Sequence, residues 1–246
     1  MRQSVFFGIV LVASLAVACV IYFGPFLPEH IKRGGFLVIG LIMLSLLAVT
    51  FIIERYIALK RLEGRKNIHS FLKGFREHME AGRVREAIDL CNEQRGSLAS
   101  VLRAGIESFQ EAMDSDMTTY EKQDVTRRAI EEANALEAPL LERNLIALST
   151  IASIATMIGL LGTTIGMIRS FAAMATTGAP DAIQLALGIS EALVNTAGGL
   201  IVAIGSIIAY NFYVNKVDSL NYAIDEVAQE MLDKFNKKMR AAHAKA

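Results

Sequence analysis

Four apolar runs interrupt an otherwise charged chain: Ser4 to Leu27, Gly35 to Ile53, Leu145 to Ala175 and Ala182 to Val214. Each reaches the ~17–25 residues that a helix needs to cross a bilayer. The last two exceed thirty residues, about 45 Å at 1.5 Å per residue, and predict helices that continue past the ~30 Å hydrocarbon layer. Between the second and third runs the pattern changes to amphipathic. Ala87, Ile88, Leu90 and Cys91 recur at helical spacing, as do Leu98, Val101, Leu102, Gly105, Ile106 and Phe109. Such helices are expected to pack on each other or on extensions of the spans. Breaks are expected at Ala81-Gly82, Arg95-Gly96-Ser97 and Asp114-Ser115-Asp116, with Pro25, Gly34 and Pro139 as further punctuation.

The expected fold is an all-α integral membrane protein with four transmembrane helices, the long ones extending into a cytoplasmic helical region. Its segments are a span with a short periplasmic loop over 1–34, a span over 35–53, a cytoplasmic domain over 54–143, and a span over 144–175. A periplasmic turn over 176–181, a span over 182–214 and a cytoplasmic helix over 215–246 complete it. Orientation follows the basic residues, which stay on the cytoplasmic side. Arg55, Lys60, Arg61, Arg65 and Lys66 follow the second run; Lys216, Lys234, Lys237, Lys238 and Arg240 follow the fourth. The Ala175 to Asp181 turn has none, whereas Lys32-Arg33 falls in a loop expected outside, against the trend. Arg2, the first apolar run and Ala16-Val17-Ala18 also resemble a cleaved secretory signal, but the run continues past Cys19 to Leu27, which favours a retained span.

Composition narrows the function. The chain of 246 residues is 53% hydrophobic yet carries 25 basic and 25 acidic residues, interspersed, which leaves no electrostatic footprint for nucleic acid. Two cysteines, Cys19 and Cys91, and four scattered histidines supply no disulfide framework and no metal-ligand spacing. No cofactor is expected.

Polar residues inside the spans are the informative ones, because hydrocarbon tolerates them only against a partner helix or a wet cavity. Ser149, Thr156, Thr163 and Ser170 repeat every seven residues, two turns, and form one stripe, with Ser153 between them. Such hydroxyls either glue helices together or line a path. The fourth run carries Glu191, a group that costs about 2.5–3.5 kcal/mol at a helix centre, followed by Asn195 and Thr196. Small residues at Gly188, Ala192, Gly199 and Ala203 would let other helices approach closely. Counted from the Gly178-Ala179-Pro180 turn, Thr163 and Thr196 stand 15 and 16 residues away, at nearly one depth. Arg169 and Glu191 are also roughly level. They either pair or share a vestibule, or Arg169 snorkels to the outer interface.

These residues resemble a known family. Ala152-Ser153-Ile154-Ala155, Gly159 to Ile168 (GLLGTTIGMI) and Gly188 to Leu200 (GISEALVNTAGGL) look like the paired signature helices of MotA/TolQ/ExbB proton channels. Glu86 to Cys91 and Leu98 to Gly105 are similar to cytoplasmic helices of the TolQ/ExbB branch. Many members have proline where Thr156 and Gly205 stand here, and the Ser4 to Leu27 span is absent from the three-span members. The resemblance implies a bacterial inner-membrane motor subunit that forms a homo-oligomer, typically a pentamer, around two copies of a single-span ExbD/TolR/MotB-like protein bearing an ion-accepting aspartate. It implies ion motive force, from H⁺ or Na⁺, as the energy source. It places Thr163, Thr196 and Glu191 on the ion path, with Ser149, Thr156, Ser170, Asn195 and Arg169 as further candidates for facing the pore.

Two rivals remain. An intramembrane enzyme would want a carboxylate pair, a Ser with a His, or two metal-ligating histidines within the spans, and no His lies in any of them. A passive oligomeric membrane scaffold would use the hydroxyls only for packing.

Overall fold

A computed structural model describes residues 2–25, 27–177 and 182–243, and among them the chain is helical with no strand. In chain order the helices are α1 (Arg2–Phe23), α2 (Glu29–Lys32), α3 (Leu37–Glu63), α4 (Ile68–Glu80), α5 (Val84–Gln94), α6 (Ser97–Met113), α7 (Thr119–Glu142), α8 (Leu145–Thr177) and α9 (Ala182–His243). They form two compact units, Met1–Arg55 with Asn144–Phe212, and Tyr56–Arg143 with Tyr213–Ala246.

The first unit holds the apolar material. α3, α8 and α9 each carry a stretch long and apolar enough to cross a membrane, whereas Gly8–Phe23 of α1 is a shorter apolar helix. Three helices among the described residues therefore qualify where four spans are expected. Their outward faces are apolar: Val12, Val20, Ile146, Met157, Ile168, Ile201 and Ile208 are mostly exposed. Such surface demands lipid or a neighbouring subunit.

Inside the unit, α8 and α9 meet at backbone distance. A Cβ at Gly166 would lie 2.7 Å from the Gly188 carbonyl, and one at Gly159 3.3–3.4 Å from backbone atoms of Asn195, Thr196 and Gly199. The small-residue line of the fourth apolar run is thus spent on the preceding helix of the same chain, as expected where van der Waals contact drives helix association in lipid. Lys32, the basic residue against the topological trend, reaches back to donate to the Gly24 carbonyl at 3.0 Å, and the Tyr22 hydroxyl donates to the Lys32 carbonyl.

The second unit follows amphipathic rules. Phe71, Leu72 and Phe75 of α4, Ala87 and Cys91 of α5, and Leu98, Val101, Leu102, Ile106 and Phe109 of α6 are buried. Opposite them α9 buries Tyr213, Val217, Leu220, Ile224, Val227, Met231 and Phe235, spaced three or four apart. Phe109 and Phe235 stack at 3.8 Å between ring centroids. α7 starts with a reciprocal capping box between Thr118 and Glu121.

The three expected breaks fall between α4 and α5, α5 and α6, and α6 and α7. A further break follows Glu63. Gly64 sits at φ 92°, and the buried Gln94 fastens this corner: its amide donates to the carbonyls of Glu63 and Lys66, and its oxygens accept from the backbone N–H groups of Arg65 and Lys66. Pro139 does not punctuate at its own position; it lies inside the last turn of α7, where it removes the amide that would donate to Ala135, and the helix ends three residues later at Glu142. α9 runs through 214–215 without interruption, since no Gly or Pro occurs after Gly205 to stop it. The change there is one of hydropathy alone.

Candidate functional site: a polar cluster between apolar helices

Glu191 is the centre of the cluster. Its side chain is only 13% exposed, and its Oε1 accepts from Arg169 Nη1 at 2.5 Å, across from α9 to α8. Arg169 is half-exposed, so the pair has one dry and one open side. The carboxylate rests on Gly35, which adopts φ 70°; a Cβ there would lie 2.8 Å from Glu191 Oε1. An ion pair shielded from water interacts far more strongly than one in bulk, and losing one partner leaves the other uncompensated.

One turn along α9, Asn195 is fully buried and its Nδ2 donates to the Gly34 carbonyl at 2.8 Å. Its Oδ1 has no partner among the described residues. Gly162 leaves the space Asn195 occupies, since a Cβ there would meet the Asn195 side chain. Asn195 thus faces inward, bracing α9 against the chain before α3.

Thr196 crosses the helix pair. Its hydroxyl lies 3.1 Å from the Gly159 carbonyl of α8 and 3.2 Å from Ala192 O on its own helix, and donates to one at a time. Thr163 is half-buried and donates within α8 to Leu160 O at 2.6 Å. Gly159, which faces Thr196, precedes Thr163 by four residues, so the two threonines are offset by about one turn, roughly 6 Å. The Gly178-Ala179-Pro180 turn, from which the common depth is counted, lies outside the described residues.

The rest of the stripe behaves alike. Ser149 donates to Ile146 O, Ser153 to Ser149 O and Thr156 to Ala152 O. Ser170 is buried, within reach of Gly166 O at 3.0 Å and Leu185 O at 3.4 Å. Own-helix bonds satisfy each donor in apolar surroundings while each oxygen keeps lone pairs free to accept. A row of acceptors beside a carboxylate suits a migrating cation or protonated water. Both proline-substituted positions lie in uninterrupted helix, and a Cβ at Gly205 would meet nothing within 4 Å.

Sequence reasoning passed over three residues. Gly34 read as punctuation and Gly35 as the first residue of a span, though adjacent glycines there are a signal of close approach. Ser206 is 1% exposed and its hydroxyl has no partner among the described residues. No group of three or more potential metal ligands occurs among the described residues.

Comparison with known proteins gives one consistent answer. The family model described as the MotA/TolQ/ExbB proton channel family matches residues 93–226. The ExbB-like protein 3 of Synechocystis sp., named for biopolymer transport, is 33% identical over 186 residues, 73% of this chain and 81% of that protein. The Tol-Pal system protein TolQ of Pseudomonas aeruginosa is 28% identical over 194 residues, 75% and 81% of the two chains. The biopolymer transport protein ExbB of Helicobacter pylori is 41% identical over 102 residues, 42% of this chain and 68% of that one.

Proposed function

Because the chain belongs to the MotA/TolQ/ExbB proton channel family, we propose that it forms the ring of an ion-driven motor, a homopentamer enclosing two copies of a single-span, aspartate-bearing ExbD/TolR/MotB-like protein. It is an all-α, multi-pass protein of the cytoplasmic membrane, a proton-channel subunit of the TolQ/ExbB branch that transduces energy. In our reading α1 is the fourth span, since its 22 residues extend about 33 Å.

The observation that carries the proposal is the shielded Glu191 carboxylate, paired with Arg169 across two helices that approach each other at small residues. A carboxylate that costs several kcal/mol in hydrocarbon is retained for charge movement rather than packing. Thr163 and Thr196 offer hydroxyl oxygens to protons moving toward the partner's aspartate, with Ser149, Thr156 and Ser170 extending the row. Protonation and release of that aspartate turns ring and inner pair against one another. Each charge crossing 100 mV supplies about 2.3 kcal/mol.

The test is proton flux into proteoliposomes holding this chain and its copurified partner. Glu191→Gln should lower flux at least a hundredfold with the oligomer intact. Full flux from both Glu191→Gln and Arg169→Gln would return the protein to the passive-scaffold reading.

A further inference from the structure

The second unit contains a groove of about 530 Å³ that the ion path does not use. Arg61, Arg95, Arg103 and Glu137 line it, three cations against one carboxylate. Arg103 is already engaged, bonding Asn92 Oδ1 at 3.1 Å and lying 3.7 Å from Glu107. Arg61 and Arg95 have no ion-pair partner among the described residues.

The N-terminus of the 17-residue α6 opens into the same groove. Gly96, its N-cap, supplies no side-chain acceptor, and the first α6 amide bonded within the helix is Ser100 N, to Gly96 O at 2.9 Å. The N–H groups of Ser97, Leu98 and Ala99 precede it, at the positive end of the helix dipole. Independently, Ser97 lines the groove, is 3% exposed, and its Oγ has no partner among the described residues. A buried hydroxyl left without a partner is destabilising, so its retention points to a ligand oxygen. The floor is tightly packed, since a Cβ at Gly96 would lie 2.6 Å from the Leu62 carbonyl.

We propose that this groove binds a phosphate group, with the α6 N-terminus and the Ser97 hydroxyl donating to its oxygens and Arg61 and Arg95 neutralising its charge. A phosphate matches these donors in number and charge better than a carboxylate does, because it presents three or four oxygens and up to two charges. The volume exceeds that of phosphate alone and leaves room for an organic remainder. That remainder belongs either to a soluble phosphorylated molecule or to an anionic phospholipid headgroup.

Calorimetric titration of the full chain in phosphatidylcholine nanodiscs distinguishes the sources, with inorganic pyrophosphate as one probe and water-soluble dihexanoyl phosphatidylglycerol as the other. At least one should bind saturably; pyrophosphate alone identifies a soluble ligand, and phosphatidylglycerol binding more tightly identifies the headgroup. Arg61→Gln with Arg95→Gln should weaken binding at least tenfold, and so should the milder Ser97→Ala, which keeps the fold testable if the arginine pair does not. Arg128→Gln and Glu191→Gln should bind as the parent does, which separates this site from the ion path. Saturation by neither probe, or parental affinity in both the Ser97 and arginine variants, overturns the proposal.

Discussion

Replacing Thr163 and Thr196 by valine separates packing from conduction, because the two hydroxyls have different structural work. Of the two hydroxyls, that of Thr196 bonds across the helices, to Gly159 at 3.1 Å, longer than a good hydroxyl bond. Its loss should cost about 0.6 kcal/mol, with about 1.7 kcal/mol as the ceiling for such bonds in membranes. Thr163 donates within its own helix, so Thr163→Val should cost almost nothing in assembly. If the hydroxyls only pack, the double variant loses at most about 20-fold in the folding equilibrium of its own helix pair and nothing in flux per assembled ring. If they line the path, each leaves a migrating charge short of a partner, about 1–3 kcal/mol apiece. Together that slows flux between about 30-fold and about 10⁴-fold. The assay is proteoliposome proton flux normalised to intact oligomer by native mass spectrometry. Thr150→Val, an exposed hydroxyl bonded only to Ile146 O in the same helix, is the control. Thr118 is unsuitable, because it closes the cap of α7. A double variant that assembles normally and conducts fully would refute the pore-lining assignment.

Native mass spectrometry in mild detergent should give about five chains per particle, in keeping with the apolar faces left exposed on one chain; a stable monomer would sink the ring. Impermeant maleimide on intact cells should label Glu29→Cys and spare Arg61→Cys, and the reverse pattern would invert the topology. Burial pushes the Cys91 thiol up to about 12, opposed by Arg103 and reinforced by Glu107. At pH 8 only about one thiol in 10⁴ is thiolate, so in a Cys19→Ser background the native chain should react with thiol reagents far more slowly than a free cysteine; an equal rate contradicts the burial. Gly105→Ala would crowd Met231 and Ile130, and should destabilise by about 1–3 kcal/mol in thermal unfolding. An unchanged melting temperature would mean that this seam is loose.

The apolar helices and the three breaks at Gly82, Gly96 and Asp114 were legible because local chemistry decides them: length in hydrocarbon for the first, missing helix propensity for the second. Gly64 was not, because what turns the chain there is Gln94, thirty residues on, satisfying three residues' backbone groups at once. Pro139 misled by position alone, since it stands only three residues before the end of α7 and the helix closes one turn beyond it. At the site, counting along two helices brought Arg169 and Glu191 to one level, but which way the arginine turns depends on the open space beside Gly35. The burial of Asn195 rests on a contact with Gly34, 161 positions away, for which periodicity has no signal.

Gly35 deserves to be read as part of the acid it touches. Its left-handed backbone and its contact with Glu191 both oppose a side chain at that position, for two unrelated reasons. A mutational scan would therefore record a silent-looking glycine as intolerant as the carboxylate itself. Partial revertants of a Gly35→Ala lesion would arise at residue 191, where shortening the acid to aspartate vacates the room that a methyl group needs and leaves only the backbone strain. In heritable terms, the chain stores the position of its charge at two loci, one of which encodes it as empty space.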